Sequence, residues 1–278
     1  MNLELCKTYK KKDCPYFEPN CPSSVDENGN LKINDSLNCT CAKFLAFVDS
    51  KDENVINKKL AEMNVSGTDK FEIMMGMQKV FAERFHKVDN LSKKEIDYWT
   101  NAYLVCIEDE IVEALEFVNI FPTTIKKFDL KEYRKELIDI VHFLMDGMLV
   151  AGMTYQDLVK SYSQMAKQDL TEKDILDFAI EHEKIYLDQI LDEDQHLYTL
   201  NYILRDIRLV RQCISWKHWK KAGDTIDFTK LFEAYTNMFR NLILAMLATG
   251  MTSNDIYETY VGKNIENVLR QDYGYGGK

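Results

Sequence analysis

Two pairs of carboxylates stand at helical spacing in the middle of this 278-residue chain. Glu110-Ile-Val-Glu113 puts two acids at i and i+3 on one helix face, and Glu136-Leu-Ile-Asp139 repeats the arrangement. Both pairs sit inside apolar stretches, LVCIEDEIVEALEFV and LIDIVHFLMDGML. A buried carboxylate without a partner takes up a proton, so acids placed there are expected to be paired or to hold a cation. Four of them converging from two antiparallel helices would form an all-oxygen pocket, the preference of magnesium. His142, one turn beyond Asp139, could orient a ligand from behind. Glu108, Asp109, Glu116 and Asp146 crowd the same region, and a solvated acidic face is the competing reading.

A second constellation lies at the C-terminus. Lys263, Asn267 and Arg270 recur at i, i+4 and i+7, a polar, cationic stripe on one helix face, and Tyr273 and Tyr275 follow among glycines. Lysine brings a point charge and arginine a planar fork, the two usual grips on phosphate. The other reading is a basic last turn that suits the helix dipole.

The elements that must carry these residues read as helices almost throughout. From residue 50 onward there is one proline, Pro122, and apolar residues return at helical spacing. Helices are expected near 69–88, 93–119, 129–151, 155–168, 172–190, 193–216, 228–249 and 254–270. Ser92 with Glu95 reads as a capping box, and Asp129, Thr154 and Thr171 as N-caps. Gly152 and Gly250 end two of the longest helices.

Two segments echo each other 98 residues apart. Gly152-Met153-Thr154 matches Gly250-Met251-Thr252, Asp157 matches Asp255, and Met148 matches Met246. Identical turn residues favour a duplicated helical pair over convergence on a generic amphipathic helix. The copies differ where chemistry is expected. Glu136 and Asp139 become Ala234 and Asn237, and Glu110 and Glu113 become Arg208 and Arg211. One half carries acids and the other neutral or basic groups, as a metal half and a scaffold half would.

The formal charge of −10 argues against a nucleic-acid groove, where phosphates must be neutralised, but not against a phosphorylated small molecule held through magnesium. The N-terminus has no apolar core of a signal peptide, and no apolar run is long enough to span a bilayer. A cytoplasmic protein with reduced thiols is expected. Five cysteines, Cys6, Cys14, Cys21, Cys39 and Cys41, fall in an N-terminal stretch that also holds Pro15, Pro19 and Pro22. They would form either a structural zinc site or free thiols on an irregular arm; no Cys-x-x-Cys pair is present.

At these residues the chain resembles the all-α NTP pyrophosphatase superfamily, whose signature is an ExxE pair, a gap, and an ExxD pair followed by His-Phe. The run Tyr-x-x-Lys-Asn-x-x-Asn-x-x-Arg-Gln followed by Gly-Tyr resembles the dimeric dUTPases within it. The likeness runs from about residue 70 to the end, weaker over 165–200, and leaves the N-terminal arm outside. It implies an all-α helical bundle at 51–278 behind an irregular Cys-rich arm at 1–50, acting as a homodimer on a deoxynucleoside triphosphate. Glu110, Glu113, Glu136 and Asp139 would hold two or three magnesium ions, with Glu113 as acceptor of the attacking water's proton. Lys263, Asn267, Arg270 and Tyr273 or Tyr275 would clamp the phosphates, and Gln78 falls where the family reads the base. The expected reaction is dUTP (and dUDP) hydrolysis to dUMP. The alternatives are another deoxynucleotide, such as dCTP, or an inactive nucleotide-binding protein.

Two departures bear on the base. Ala82 stands where the family usually has Asn, four residues after Gln78. The Trp-rich run usual after the ExxE helix is replaced by NIFPTTIKKF, while Trp216-Lys-His-Trp219-Lys220 occurs in the second half. Trp216 and Trp219 would serve as packing residues or as a stacking surface for a base.

Overall fold

A computed structural model describes residues 60–117, 129–170, 173–187, 195–217 and 225–272, together with two short strands in the arm. Strands β1 (Ser24–Val25) and β2 (Leu31–Lys32) pair antiparallel, Ser24 opposite Lys32 and Val25 opposite Leu31. The helices are α1 (Lys70–Ala82), α2 (Lys93–Phe117), α3 (Leu130–Val150), α4 (Tyr155–Ala166), α5 (Ile175–Leu187), α6 (Gln195–Cys213), α7 (Phe228–Ala248) and α8 (Ser253–Asp272). The all-α class and the expected helices are borne out, most ends falling within a few residues. The chain divides into two compact units, Met63–Tyr260 and Met1–Glu62 with Val261–Lys278.

The caps expected from sequence form where they are described. Ser92 and Glu95 exchange hydrogen bonds ahead of α2, Asp129 caps α3, and Thr154 with Asp157 closes a capping box on α4. One start differs. Helix α5 begins at Ile175 rather than near 172, because Asp174 accepts from the amides of Leu176 and Asp177 and is itself the cap. Thr171, expected in that role, lies outside the described residues.

Within Met63–Tyr260 the duplication is legible in three dimensions. Helices α1–α4 correspond to α5–α8, and α3 and α7 match end for end at the 98-residue offset. Asp129 and Asp227 are the N-caps of this second pair, Asp129 accepting from the amides of Lys131 and Glu132 and Asp227 from that of Lys230. Gly152 and Gly250 both adopt positive φ, 73° and 77°, the left-handed turn that a Cβ would strain. After each glycine Thr154–Asp157 and Thr252–Asp255 make the same capping box.

The two halves meet at the N-termini of α1 and α5, where the caps are shared. Asp69 Oδ1 takes the amides of Phe71 and Glu72 on its own helix, while Oδ2 takes the amide of Ile175 at 2.7 Å. Asp174 returns the arrangement, its Oδ2 accepting from the amide of Lys70 at 3.1 Å. Each carboxylate thus satisfies orphan donors of both helices, and each cap contributes about 1 kcal/mol. The core lies along α3 and α7, whose Leu137, Ile140, Leu144, Met148, Tyr235, Met238 and Ala245 are fully buried. Helix α3 packs on α2 and α1, and α7 on α6 and α5.

Candidate active site

Helices α2 and α3 run antiparallel, since Tyr103 of α2 meets Phe143 while Glu110 meets Glu136 and Asp139. Their apolar faces, Leu104, Ile107, Ile111 and Ala114 against Leu137, Ile140, Val141 and Leu144, are driven together by burial. That packing leaves the acid-bearing faces side by side. Carboxylate oxygens of Glu110, Glu113 and Glu136 lie within 4.8 Å of one another, an arrangement that could hold a metal ion. Asp139 interacts with Glu110 at the edge of this group. Burial comes first, followed by the charges of Asp139, Glu113 and Glu136, in pushing Glu110 up to about 8. Like charges this close require a cation or a proton, and an all-oxygen donor set fits a hard divalent ion.

The neighbouring acids do not join this group. Glu108 is held bidentately by Arg211 of α6, at 2.5 and 2.7 Å. Asp109 and Glu116 are exposed. The counterpart of Glu113 in the second half is therefore an arginine that reaches back to bind an acid of the first. Its neighbour Arg208 is exposed, Ala234 is buried, and Asn237 hydrogen-bonds the Glu233 carbonyl. Acids on one side and an ion pair on the other make the two halves chemically unlike.

From the acids the same face of α2 continues toward its N-terminus through Cys106, Tyr103 and Trp99, at spacings of three or four residues. These side chains are half-buried. Trp99 stacks on His86 with ring centroids 3.9 Å apart, and Tyr103 lies 6.4 Å from Phe143 of α3. Sequence reading passed over this stripe because it weighed acids and aromatics separately; their common heptad-like spacing was the available signal.

Behind the stripe lies a buried polar network. Gln78 is 1% exposed, and its Oε1 accepts from the Tyr260 hydroxyl at 2.7 Å and from His142 Nδ1 at 2.8 Å. The His142 ring stacks on Tyr260 at 4.3 Å. On its other side Gln78 lies within electrostatic reach of Asp146. Asp146 is 5% exposed, and burial pushes it up to about 8.

The remaining candidates are placed as follows. Lys263, Asn267 and Arg270 recur along α8 in the unit that contains Val261–Lys278. Tyr273, Tyr275, Trp219 and the five N-terminal cysteines lie outside the described residues. Trp216 receives the cations of Arg211 and Lys217 at 5.4 and 5.1 Å from its ring centre. Among the described residues no single helix is long and apolar enough to cross a membrane.

A family model described as dUTPase matches residues 70–275, from the first residue of α1 to beyond the end of α8. No curated protein and no solved structure matches the chain.

Proposed function

The chain belongs to the dUTPase family, and from that premise we propose that it is a magnesium-dependent pyrophosphohydrolase cleaving dUTP, and dUDP, to dUMP. The observation that carries this reading is the convergence of Glu110, Glu113 and Glu136 from two helices, with Asp139 against Glu110. When bound there, two or three magnesium ions supply charge neutralisation of the phosphate chain and lower the pKa of a water. Glu110, Glu136 and Asp139 hold the cations; Glu110 must first give up its proton. Glu113 is the most exposed of the clustered acids, and it accepts the proton of the attacking water. On α8, Lys263, Asn267 and Arg270 bind phosphate oxygens, joined by Tyr273 and Tyr275. Gln78 stands behind the aromatic end of the stripe, which takes the nucleoside. Family resemblance supports a homodimer in the cytoplasm.

The test is release of pyrophosphate from a panel of nucleoside triphosphates in magnesium. Fastest turnover of dUTP, abolished by chelation, is expected. No release from any nucleotide would remove the catalytic reading and leave nucleotide binding.

A further inference from the structure

Arg211 of α6 turns its whole guanidinium toward α2. Nη1 and Nη2 donate to the two oxygens of Glu108 at 2.5 and 2.7 Å, and Nε donates to Asn101 Oδ1 at 3.3 Å. Its Cζ stands 5.4 Å from the centre of the Trp216 ring, and the side chain is 18% exposed. Just past the end of α6 the Ser215 amide donates to Asp97 Oδ1 at 3.0 Å. Lys93 bridges Asp97 and the Ser215 hydroxyl at 2.5 and 2.8 Å.

Asp97, Asn101 and Glu108 form one line along α2, at spacings of four and seven residues. At about 100° per residue, Glu108 lies about 140° around the helix from Glu113 and about 160° from Glu110. The grip is therefore on the back of α2, and the acids are on its front. On that front, carboxylate oxygens of Glu110, Glu113 and Glu136 crowd within 4.8 Å, and their repulsion turns the acid edge of α2 away from α3. Apolar packing through Leu104, Ile107 and Ile111 holds the helices together but is non-directional, so it resists separation better than a small roll. Groups about 6 Å from a helix axis move about 1 Å for a roll of about 10°. Metal–ligand distances tolerate about 0.2 Å, and a misplacement of about 1 Å costs about 100-fold in rate. A planar fork seated on two oxygens, with a third acceptor beside it, defines an orientation as a point charge does not.

We propose that Arg211 is a positioning residue for the metal centre, locking the roll of α2 so that Glu110 and Glu113 face α3 at ligating distance. This rests on the metal-dependent reading above. Arg211 touches none of the clustered acids and acts through Glu108 and Asn101. The repeat gives the residue its place: Arg211 stands 98 residues after Glu113. Where the first half carries a metal ligand, the second carries the tie that holds that ligand's helix.

The test uses full-length Arg211→Lys, Glu108→Asp and the double variant. Each keeps every charge and breaks the fork, so attraction of a cation to the site is unchanged. Manganese, which shares magnesium's preference for oxygen, is titrated without nucleotide and followed by the EPR signal of the free ion. Its affinity should fall about 10- to 100-fold in both single variants, as when a group that orients a ligand is lost. Turnover of dUTP at saturating magnesium should fall about 100-fold, on kcat rather than KM. The double variant should be no worse than the worse single one, because one tie is broken in all three. Circular dichroism and melting temperatures above the assay temperature establish that each variant is folded. Asn101→Ala, which loosens the same guanidinium and leaves its ion pair, should show a smaller loss in the same direction and serves if a fork variant does not fold. A tie that is only structural would lower the melting temperature and leave manganese affinity and kcat at wild-type values; that result overturns the proposal. Losses that add in the double variant also overturn it, since the two residues then act separately. Manganese binding needs no turnover, so the comparison stands even if dUTP is not hydrolysed. A wild type that binds no manganese removes the metal-site reading beneath, whereas equal binding by wild type and Arg211→Lys removes Arg211 alone.

Discussion

Gln78 and Glu183 occupy equivalent places in the two halves and make the same pattern of bonds with opposite chemistry. Gln78 Oε1 accepts from Tyr260 of α8 and His142 of α3, at 2.7 and 2.8 Å. Glu183 accepts from Tyr162 of α4 and Arg240 of α7, both at 2.8 Å. Tyr162 is the counterpart of Tyr260, and Arg240 of His142, at the 98-residue offset. In the second half a fully buried carboxylate and a guanidinium satisfy each other as an ion pair. In the first, a neutral amide stands in place of the carboxylate and a histidine in place of the arginine. The half that keeps the acids is thus also the half without the buried ion pair.

The ion-paired side gives the first prediction. Glu183 is 0% exposed and takes Arg240, Tyr162 and His182. Glu183→Ala would strand the Arg240 charge and cost about 3–5 kcal/mol. Urea melts of both single variants and the double variant Glu183→Gln with Arg240→His check this. The double variant restores the chemistry of the Gln78–His142 pair and should recover most of the loss. A Glu183→Ala protein as stable as wild type would show that the pair is not structural.

Much of this was readable before any coordinates. Capping residues and the 3.6-residue apolar period marked the helices, because local hydrogen bonding and burial act over a few residues. The repeat was legible at Gly152 and Gly250, since a left-handed turn restricts residue choice. The four acids stood out because carboxylates in apolar runs are costly. Asp146 was equally conspicuous but read only as one more acid. Whether an acid joins a cluster or faces the core depends on which helix lies opposite, and that is long-range information. Arg211 could be expected to oppose the metal half, but its grip on Glu108 depends on the approach of α6 to α2. The shared capping of Asp69 and Asp174 likewise required two helix starts, 105 residues apart, to meet.

A second prediction concerns protons and magnesium. Glu110 and Asp146 are pushed up to about 8 in the folded protein, against about 4 for carboxyls in an unfolded chain. Between those values the folded state binds more protons than the unfolded one. Stability of the metal-free protein therefore falls as pH rises from about 4 through about 8, then levels off. Magnesium must displace the Glu110 proton, so its affinity rises over the upper part of that window, by up to about tenfold per pH unit. Calorimetry between pH 6 and 8 in buffers of different ionisation enthalpy measures both affinity and protons released. A magnesium affinity flat across that range would sink the assignment of Glu110 as a proton-holding ligand.

Helix packing beside Asp146 gives a third. A Cβ at Gly147 would lie 2.7 Å from the hydroxyl of Tyr235, a ring that is fully buried. Alanine normally improves a helix interior by up to about 1 kcal/mol over glycine. Here overpacking against Tyr235 should reverse the sign, and Gly147→Ala should destabilise by about 1–3 kcal/mol. Gly147→Ala combined with Tyr235→Phe should recover part of the loss, because the hydroxyl is the nearest atom. Thermal melts of the three proteins decide it; a stabilised Gly147→Ala would mean that α3 and α7 sit farther apart than described.

The last prediction addresses the unlike halves directly. Glu113→Ala and Asp139→Ala remove charge from the acid cluster, whereas Asn237, the counterpart of Asp139, is half-buried and hydrogen-bonds its own helix at Glu233. Turnover should drop by about two to three orders of magnitude in the first two variants, the usual cost of losing a group that stabilises developing charge. Asn237→Ala should stay close to wild type. All three should remain folded, and removing a like charge from beside Glu110 should make the acid variants, if anything, more stable without metal. Arg270→Ala separates metal from phosphate: it should weaken triphosphate binding and leave magnesium affinity in the absence of nucleotide unchanged. Losses of similar size at Asn237 and Asp139 would mean that the second half shares the chemistry. An Arg270→Ala enzyme with wild-type kinetics would mean that the basic stripe of α8 does not meet the phosphates.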